Sequence, residues 1–286
     1  MRHDQINSKL ENKFLSCSLG PVQKGTCGLR CWFLPDSPIS VDNINMLFSF
    51  DTTRPEQLDE CITVVKSDRR TRVIRFQANG IPFIAKIFSM HRFKDSLRHR
   101  RYAFSELKNN IIARQRGINT PKCYTYFEKR FCGLVQQCGV IMETLVGYTE
   151  LTHLMRSGKR TLFDAIPILK KLYCRGVNHI DMSPKNIFLR ECDNHCVIID
   201  WQYCSFYPPG NDLQLCLMAA TFLLYNSVKS GDLMWHPWLK NLFEQCRPEI
   251  TYDKMQKAVH VMQNRKIHWK VRLSLDVSGL GVDTIW

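Results

Sequence analysis

Two Asp residues and one Asn occur at a spacing that suits phosphoryl transfer. The stretch GVNHIDMSPKNIFL begins at Gly176, and within it Asn186 follows Asp181 by five residues. Further on, the apolar run VII ends in Asp200. One carboxylate can accept the proton of an attacking hydroxyl, while an amide oxygen and a second carboxylate can hold Mg²⁺ against a triphosphate. The spacing therefore predicts Asp181 as the proton acceptor and Asn186 and Asp200 as Mg²⁺ ligands.

Phosphoryl transfer of this kind also needs a Lys on a strand and a Glu on the helix that follows it. Lys86 lies within residues 80–88, whose apolar character predicts a strand, and Asn79-Gly80 before it predicts a two-residue hairpin turn. Residues 96–115 predict a helix with one apolar face, and Glu106 lies in its middle. We therefore expect an ion pair between Lys86 and Glu106.

An adenine-binding segment is predicted at residues 139–145, which read GVIMETL. Met142 would lie at the back of the pocket, and the backbone at Glu143 and Leu145 would face the purine. Each feature alone is more often structural than functional, because a single Lys on a strand or Glu on a helix is usually a solvated side chain. The order of Lys, Glu, apolar strand, catalytic loop and strand-terminal Asp favours the functional interpretation.

These residues resemble the protein-kinase-like superfamily, and within it the chain is similar to the lipopolysaccharide kinase (Kdo/WaaP) family. The similarity covers about residues 61–225 and rests on Lys66 before a basic turn, Arg72–Phe76, the short hairpin to Lys86, the basic helix with Glu106, and Gly117–Pro121. The resemblance implies ATP and Mg²⁺ as cofactors. It also implies that Asp181 is the base, that Asn186 and Asp200 are metal ligands, and that Lys86 with Glu106 orders the phosphates.

The resemblance further implies the fold, an α+β protein-kinase-like fold with two lobes. A small antiparallel-sheet N-lobe with one helix is expected at residues 61–145. A mainly helical C-lobe with the catalytic loop is expected at residues 146–286. Residues 1–60 form an N-terminal extension of unknown role.

The catalytic segment departs from regulated protein kinases in several ways. No Arg precedes Asp181, so switching by a phosphorylated activation loop is not expected. Trp201-Gln202 follows Asp200 in place of Phe-Gly, and without the Gly this segment should flip less readily. Lys185 lies four residues after Asp181, close enough to reach the transferred phosphate as a point charge, and is the second predicted catalytic residue. No Gly-rich loop is present, so the turn at residues 66–70 must cover the phosphates with other groups.

Two predicted helices flank the catalytic loop. The first carries an apolar stripe over residues 162–173, and Pro167 predicts either a kink or a helix start. The second spans residues 212–225 and opens with Asp212. This Asp could brace the backbone of the catalytic loop or cap the helix.

Basic residues give the chain a formal net charge of +14. They crowd one stretch between His91 and Arg101 and another between Arg265 and Arg272. Clusters of this density favour an anionic partner, such as a phosphorylated glycolipid or a membrane surface. Nucleic acid is not expected as a partner, because no RNA-binding motif with stacking aromatics accompanies the charge.

The apolar stretches are too short for a membrane-spanning helix, and the N-terminus lacks the features of a secretory signal. The 13 Cys residues are therefore expected to be reduced thiols. The expected location is the cytoplasm, with peripheral attachment to the inner face of the membrane. No feature indicates an oligomeric state.

The preferred hypothesis is an ATP-dependent kinase that transfers the γ-phosphate to a hydroxyl on a lipopolysaccharide core sugar. Three alternatives stay open. The first is an atypical protein kinase resembling the RIO group, which also has a Ser two residues after the catalytic Asp. The second is a small-molecule kinase, and the third is a nucleotide-binding scaffold without activity.

Overall fold

A sheet and a group of helices dominate different parts of the chain. The computed structural model describes residues 19–49, 62–265 and 274–275. The chain divides into two units by its internal contacts: the first comprises residues 1–108 and 121–145, and the second comprises residues 109–120 and 146–286. The mixed α+β class predicted from the sequence is confirmed.

The first unit is built on a seven-stranded antiparallel sheet with the order β1-β2-β6-β7-β5-β4-β3. Its strands are β1 (Gln23–Lys24), β2 (Leu29–Phe33), β3 (Ile62–Ser67), β4 (Thr71–Ala78), β5 (Ile81–Ser89), β6 (Cys123–Phe131) and β7 (Leu134–Glu143). Its helical segments are α1 (Val41–Ser49), α2 (Phe93–Leu97), a 3₁₀ turn at His99–Arg101 and the first part of α3 (Ala103–Gln115).

Helices pack on both faces of this sheet. Successive residues of a strand point to opposite faces, so Tyr126 and Phe127 of β6 mark the two sides. Phe127 packs edge-on against Phe48 of α1, with ring centroids 5.7 Å apart. On the other side, Tyr126 packs against Phe104 of α3, also at 5.7 Å. Residues 23–49, which belong to the predicted N-terminal extension of unknown role, thus add two strands and a helix to this unit.

The predicted hairpin before Lys86 is confirmed. Strands β4 and β5 pair in register from Thr71↔Phe88 to Ala78↔Ile81. Asn79 and Gly80 close the hairpin with φ values of 53° and 74°, in the left-handed region that a two-residue hairpin turn requires.

The predicted helix over residues 96–115 is wrong at its start. Helix α3 begins at Ala103, and the preceding residues form α2 and the 3₁₀ turn. Tyr102 interrupts the helical path, with φ −108° and ψ −108°. The side chain of His99 reaches the buried carboxylate of Glu128 at 2.9 Å. This tertiary contact, which periodicity cannot reveal, accompanies the break.

The second unit combines two small sheets with five helices in the described residues. The three-stranded sheet has the order β11-β10-β8, and β12 pairs with β9. The strands are β8 (Tyr148–Glu150), β9 (Val177–His179), β10 (Ile187–Arg190), β11 (His195–Ile198) and β12 (Cys204–Phe206). The helices are α4 (Leu151–Arg156), α5 (Ile166–Cys174), α6 (Asp212–Tyr225), α7 (Trp235–Cys246) and α8 (Tyr252–Asn264).

Helix α6 lies at the centre of the second unit and is buried along most of its length. Phe222 stacks on Trp238 of α7, with centroids 5.5 Å apart and rings nearly parallel. Pro167 lies in the first turn of α5, where its missing N–H costs nothing, so it starts the helix and does not kink it. Across residues 19–49, 62–265 and 274–275, no helix combines the length and the apolar character needed to cross a bilayer.

Candidate active site

The first unit holds the predicted Lys–Glu ion pair. Lys86 Nζ lies 2.8 Å from Glu106 Oε2, and the side chains are 14% and 2% exposed, respectively. A carboxylate this deeply buried needs a cation to offset its lost hydration. Lys86 comes from the middle of β5 and Glu106 from the first turn of α3, so the pair joins the sheet to the helix.

The turn predicted to cover the phosphates connects β3 to β4 in the same unit. Asp68 Oδ1 accepts hydrogen bonds from the backbone N–H groups of Arg70 and Thr71, at 2.9 and 2.8 Å. These bonds lower the pKa of the Asp68 carboxyl from its usual value. Asp68 thereby organises the turn from within, without glycine. That the turn covers phosphates stays a prediction.

The residues predicted to bind adenine also belong to the first unit. Met142 is buried near the end of β7. Glu143 is fixed from two sides, because its N–H donates to the Lys122 carbonyl at 2.9 Å and its carboxylate accepts from the Lys122 N–H at 2.6 Å. Leu145 is the last residue of this unit. Adenine binding by these three residues stays a prediction.

In the second unit, the catalytic loop leaves β9, which is held tightly at its start. Gly176 has φ +60°, and a Cβ there would lie 2.0 Å from the carbonyl oxygen of Tyr207. Only glycine fits this approach. The guanidinium of Arg116 donates to the carbonyls of both Gly176 and Tyr207, at 2.8 and 2.7 Å. The buried Gln214 of α6 donates to the Val177 carbonyl at 2.8 Å.

Hydrogen bonds connect Asp181 to Asn186 and Asn186 to Ile199, the residue before Asp200. The amide nitrogen of Asn186 donates to the Asp181 carbonyl at 2.8 Å and lies 3.5 Å from Asp181 Oδ2. The carbonyl of Asn186 accepts from the N–H of Ile199, the residue before Asp200, at 3.0 Å. The loop and the strand-terminal Asp are therefore neighbours along one short hydrogen-bonded path.

His179 joins the same two segments. Its ring is fully buried, and its Nε2 donates to the Ile199 carbonyl at 3.0 Å. The ring also packs edge-on against Trp201, with centroids 4.9 Å apart. The His of the H-x-D motif thus positions the catalytic loop against the Asp200 segment.

Asp200 adopts an uncommon backbone conformation, and the residue after it is clamped. Its φ is +66°, a region that non-glycine residues occupy mainly where the surrounding structure enforces it. The Trp201 side chain is fully buried, and its indole N–H donates to the Ile198 carbonyl at 2.8 Å. Asn109 Nδ2 donates to the Trp201 carbonyl, also at 2.8 Å. These contacts support the expectation that the segment flips less readily than one containing glycine.

Tyr225, which the sequence analysis did not select, contacts the predicted base. Its hydroxyl donates a hydrogen bond to Asp181 Oδ1. The Tyr lies at the end of the apolar helix α6, and 44 residues separate it from Asp181. No local motif marks such a pair. The Tyr225 hydroxyl is therefore a direct neighbour of the predicted base.

Replacing Tyr225 by Phe should lower phosphoryl transfer by roughly tenfold. The lost hydrogen bond is to a charged group, and bonds of this kind contribute about 1.5–3 kcal/mol to fixing their partner. Steady-state rates with saturating acceptor measure the effect, nucleotide binding is a control that should not change, and thermal unfolding shows whether the variant is folded. A faster variant would instead mean that the phenol blocks the base.

Asp212 has neither of the two roles considered from the sequence. The N-cap of α6 is Asn211, whose side chain accepts from the Gln214 N–H. The Asp212 carboxylate accepts from the Tyr173 hydroxyl at 2.7 Å and from the Ile250 N–H at 3.0 Å. It therefore ties α6 to α5 and to the segment before α8. The residue of α6 that supports the backbone before the catalytic loop is Gln214, which donates to the Val177 carbonyl.

The donor set of the second unit fits a magnesium ion bound mainly through phosphate oxygens. The described residues contain no group of three or more His, Cys, Asp or Glu side chains arranged to hold a metal. Mg²⁺ in nucleotide sites usually takes only one or two protein oxygens, together with water and phosphate oxygens. Asn186 and Asp200 match that requirement. Lys185 is exposed on the 3₁₀ turn Pro184–Asn186, on the same loop.

A groove of about 650 Å³ in the second unit lies apart from these residues. It is lined by side chains that include Arg160, Phe163, Lys171, His195 and Asn241. None of the predicted catalytic or metal-binding residues lines it.

Comparison with known proteins agrees with this chemistry. Residues 68–209 match the lipopolysaccharide kinase (Kdo/WaaP) family, and the matched segment contains Lys86, Glu106, Asp181, Asn186 and Asp200. The chain is a kinase with a protein-kinase-like fold. The similarity to the Kdo/WaaP family predicted from the sequence is confirmed. Among proteins with curated functions, none matches the chain in sequence.

Solved structures include similar folds. A structure of WaaP in complex with acyl carrier protein is similar over 87% of this kinase and 98% of that chain, with a TM-score of 0.50 and 14% identity. A crystal structure of WbdD is similar over 74% of this kinase and 49% of that chain, with a TM-score of 0.43 and 18% identity. The WaaP similarity, which spans nearly the whole of both chains, confirms the predicted fold class.

Proposed function

We propose that this kinase transfers the γ-phosphate of ATP, with Mg²⁺, to a hydroxyl on a sugar of the lipopolysaccharide core. The observation that carries the proposal is the hydrogen-bonded arrangement of Asp181, Asn186 and the Asp200 segment. This arrangement supports the proposal because it would combine a proton acceptor with two oxygen ligands for a cation, which is what phosphoryl transfer requires.

Each residue has a separate role in the proposed reaction. Asp181 accepts the proton of the acceptor hydroxyl as the new O–P bond forms, and the bond between the γ-phosphorus and the bridging oxygen breaks to release ADP. Asn186 and Asp200 would hold Mg²⁺, which would neutralise charge on the phosphates. Lys185 supplies a positive charge for the transferred group.

The first unit would bind the rest of the nucleotide. Lys86, held by Glu106 at 2.8 Å, would order the phosphates. Met142 and the backbone at Glu143 and Leu145 would receive the adenine.

The acceptor is proposed from two observations. The matched family is described as lipopolysaccharide kinases, which favours a glycolipid acceptor. The net charge of +14 also favours an anionic acceptor at a membrane surface, on the cytoplasmic side where ATP is available. Of the two basic clusters, residues 91–101 are described, whereas residues 266–272 lie outside the described residues.

Transfer of labelled phosphate to a defined acceptor tests this function. The purified kinase is incubated with γ-labelled ATP, Mg²⁺ and a Kdo-containing lipid A acceptor, in parallel with a mixed protein substrate and with an aminoglycoside. We expect label in the glycolipid and none when EDTA removes the metal. Label in protein alone would favour the RIO-like alternative, and label in the aminoglycoside alone would favour a small-molecule kinase. Nucleotide binding without transfer to any acceptor would favour the non-catalytic scaffold.

A further inference from the structure

Two large apolar side chains are exposed on the short helix α2. Phe93 is 66% exposed and Leu97 is 62% exposed. Residues four apart on a helix lie on the same face, so the two side chains form one apolar surface. No residue of α2 is buried. Exposing two adjacent large apolar groups costs free energy in water, which marks a surface that another apolar phase covers.

Basic residues are the sequence neighbours of this apolar pair. Arg92 and Lys94 flank Phe93, and Arg98 follows Leu97, with Arg101 one turn further on. In the described part of the chain, none of these four has a carboxylate within ion-pair distance. Their charges are therefore available to an external anion.

The inner side of α2 and of the 3₁₀ turn after it is attached to the sheet. His99 Nδ1 contacts the Ser96 carbonyl and His99 Nε2 contacts Glu128, both at 2.9 Å. Burial alone would raise the pKa of the Glu128 carboxyl, but hydrogen bonds from His99, Tyr126 and Arg130 lower it to about 2. The Glu128 carboxylate therefore stays ionised at neutral pH and holds His99 in place. The exposed side of α2 and of the 3₁₀ turn after it is thus supported by a fixed contact with the sheet.

The acidic residue of α2 is turned to an internal contact. Asp95 accepts a hydrogen bond from the Tyr102 hydroxyl at 3.3 Å and is only partly exposed. The exposed side of the segment therefore carries positive charge and apolar area. A protein partner of matching chemistry would need an acidic rim around an apolar pocket, whereas an anionic bilayer supplies both properties at every point of its surface.

We propose that α2 docks on an anionic lipid bilayer, with Phe93 and Leu97 inserted among the acyl chains and the surrounding basic residues on the headgroups. This inference rests on the proposed function in one respect, because it brings the kinase to the surface where a glycolipid acceptor lies. It adds a contribution of apolar side chains to membrane affinity, which attraction between charges alone does not provide.

Vesicle flotation tests the proposal directly. The full chain is mixed with phosphatidylcholine vesicles that contain or lack phosphatidylglycerol, at about 0.1 and about 0.5 M NaCl, because charge is screened more strongly at the higher concentration. The Phe93→Ser/Leu97→Ser double variant should bind the anionic vesicles about tenfold or more weakly, because two apolar side chains lose their transfer into lipid. Wild type should keep residual binding at the higher salt concentration, and the double variant should lose it.

Charge and apolar contributions are separated by a second variant. Lys94→Gln/Arg98→Gln/Arg101→Gln should lose about fivefold in binding per charge at low salt and little at high salt. A Val65→Ser/Leu233→Ser variant is the matched control, because these residues are 53% and 95% exposed elsewhere on the chain. It should bind like wild type.

Three outcomes would overturn the proposal: no binding of wild type to anionic vesicles, equal binding to neutral vesicles, or unchanged binding of the Phe93→Ser/Leu97→Ser variant. Failure here is distinct from failure of the proposed function. Phosphate transfer to a deacylated, water-soluble acceptor should be the same for wild type and the double variant. Loss of that transfer in the double variant would also count against a docking role, because it would place the pair in the catalytic machinery.

Discussion

Replacing Asp181 by Ala should lower phosphoryl transfer by about 10²–10⁴-fold, the usual contribution of a positioned proton acceptor. Nucleotide binding should persist, because Asn186, Asp200 and the Lys86–Glu106 pair are untouched. Single-turnover transfer from γ-labelled ATP measures the rate, and calorimetric titration measures nucleotide affinity.

An exposed Asp provides the control for this substitution. Asp253 lies on the surface in the first turn of α8, in the same unit as Asp181. Asp253→Ala should leave transfer unchanged. If Asp181→Ala keeps a rate within about twofold of wild type, the assignment of the base is wrong, because even one general-base contribution is expected to exceed that change.

Replacing Asp200 by Asn should remove an anionic ligand from the metal while keeping the backbone intact. Asp200 lies at φ +66°, and Asn is among the few non-glycine residues that adopt this region readily. Nucleotide affinity in Mg²⁺ should fall by at least about tenfold, as expected when a metal site is perturbed. Transfer should fall by about 10²–10³-fold, since charge on the phosphates is no longer neutralised in place.

The effect of Mg²⁺ on nucleotide affinity shows whether the affinity lost in Asp200→Asn arises from the metal. Titrations of ATP with Mg²⁺ and with EDTA should show a large loss in the first condition and a small one in the second. Thermal unfolding without nucleotide shows whether the variant is folded, and the Trp201 contacts, which do not involve the substituted carboxylate, should persist. Equal losses with and without Mg²⁺ would mean that Asp200 supports the fold and does not bind the metal.

Features formed by residues that are close in the sequence could be predicted, because a short stretch of sequence contains the residues that specify them. The Asn79-Gly80 turn is specified by two residues that tolerate positive φ. The spacing between Asp181 and Asn186 is contained within one loop, and the Lys86–Glu106 pair connects adjacent elements of the chain.

Contacts between distant residues could not be predicted in the same way. Tyr225 reaches Asp181 across 44 positions, and nothing in the composition of α6 indicates this pairing. The contact between His99 and Glu128 also joins distant residues. The helical periodicity that predicted a continuous helix from residue 96 carries no information about it. These contacts depend on how the folded chain packs. A single sequence does not show which distant residues will pack together.

The clamp on Trp201 has a consequence for inhibitors of this kinase. Compounds that act by displacing the segment after Asp200 must first extract a fully buried indole and break its 2.8 Å hydrogen bond to Ile198. Exposing a large buried apolar side chain to water costs about 1.5–3 kcal/mol, which would be subtracted from the affinity of any such compound. Selective compounds are better directed at the conformation already present, with Tyr225 as a contact beside the base.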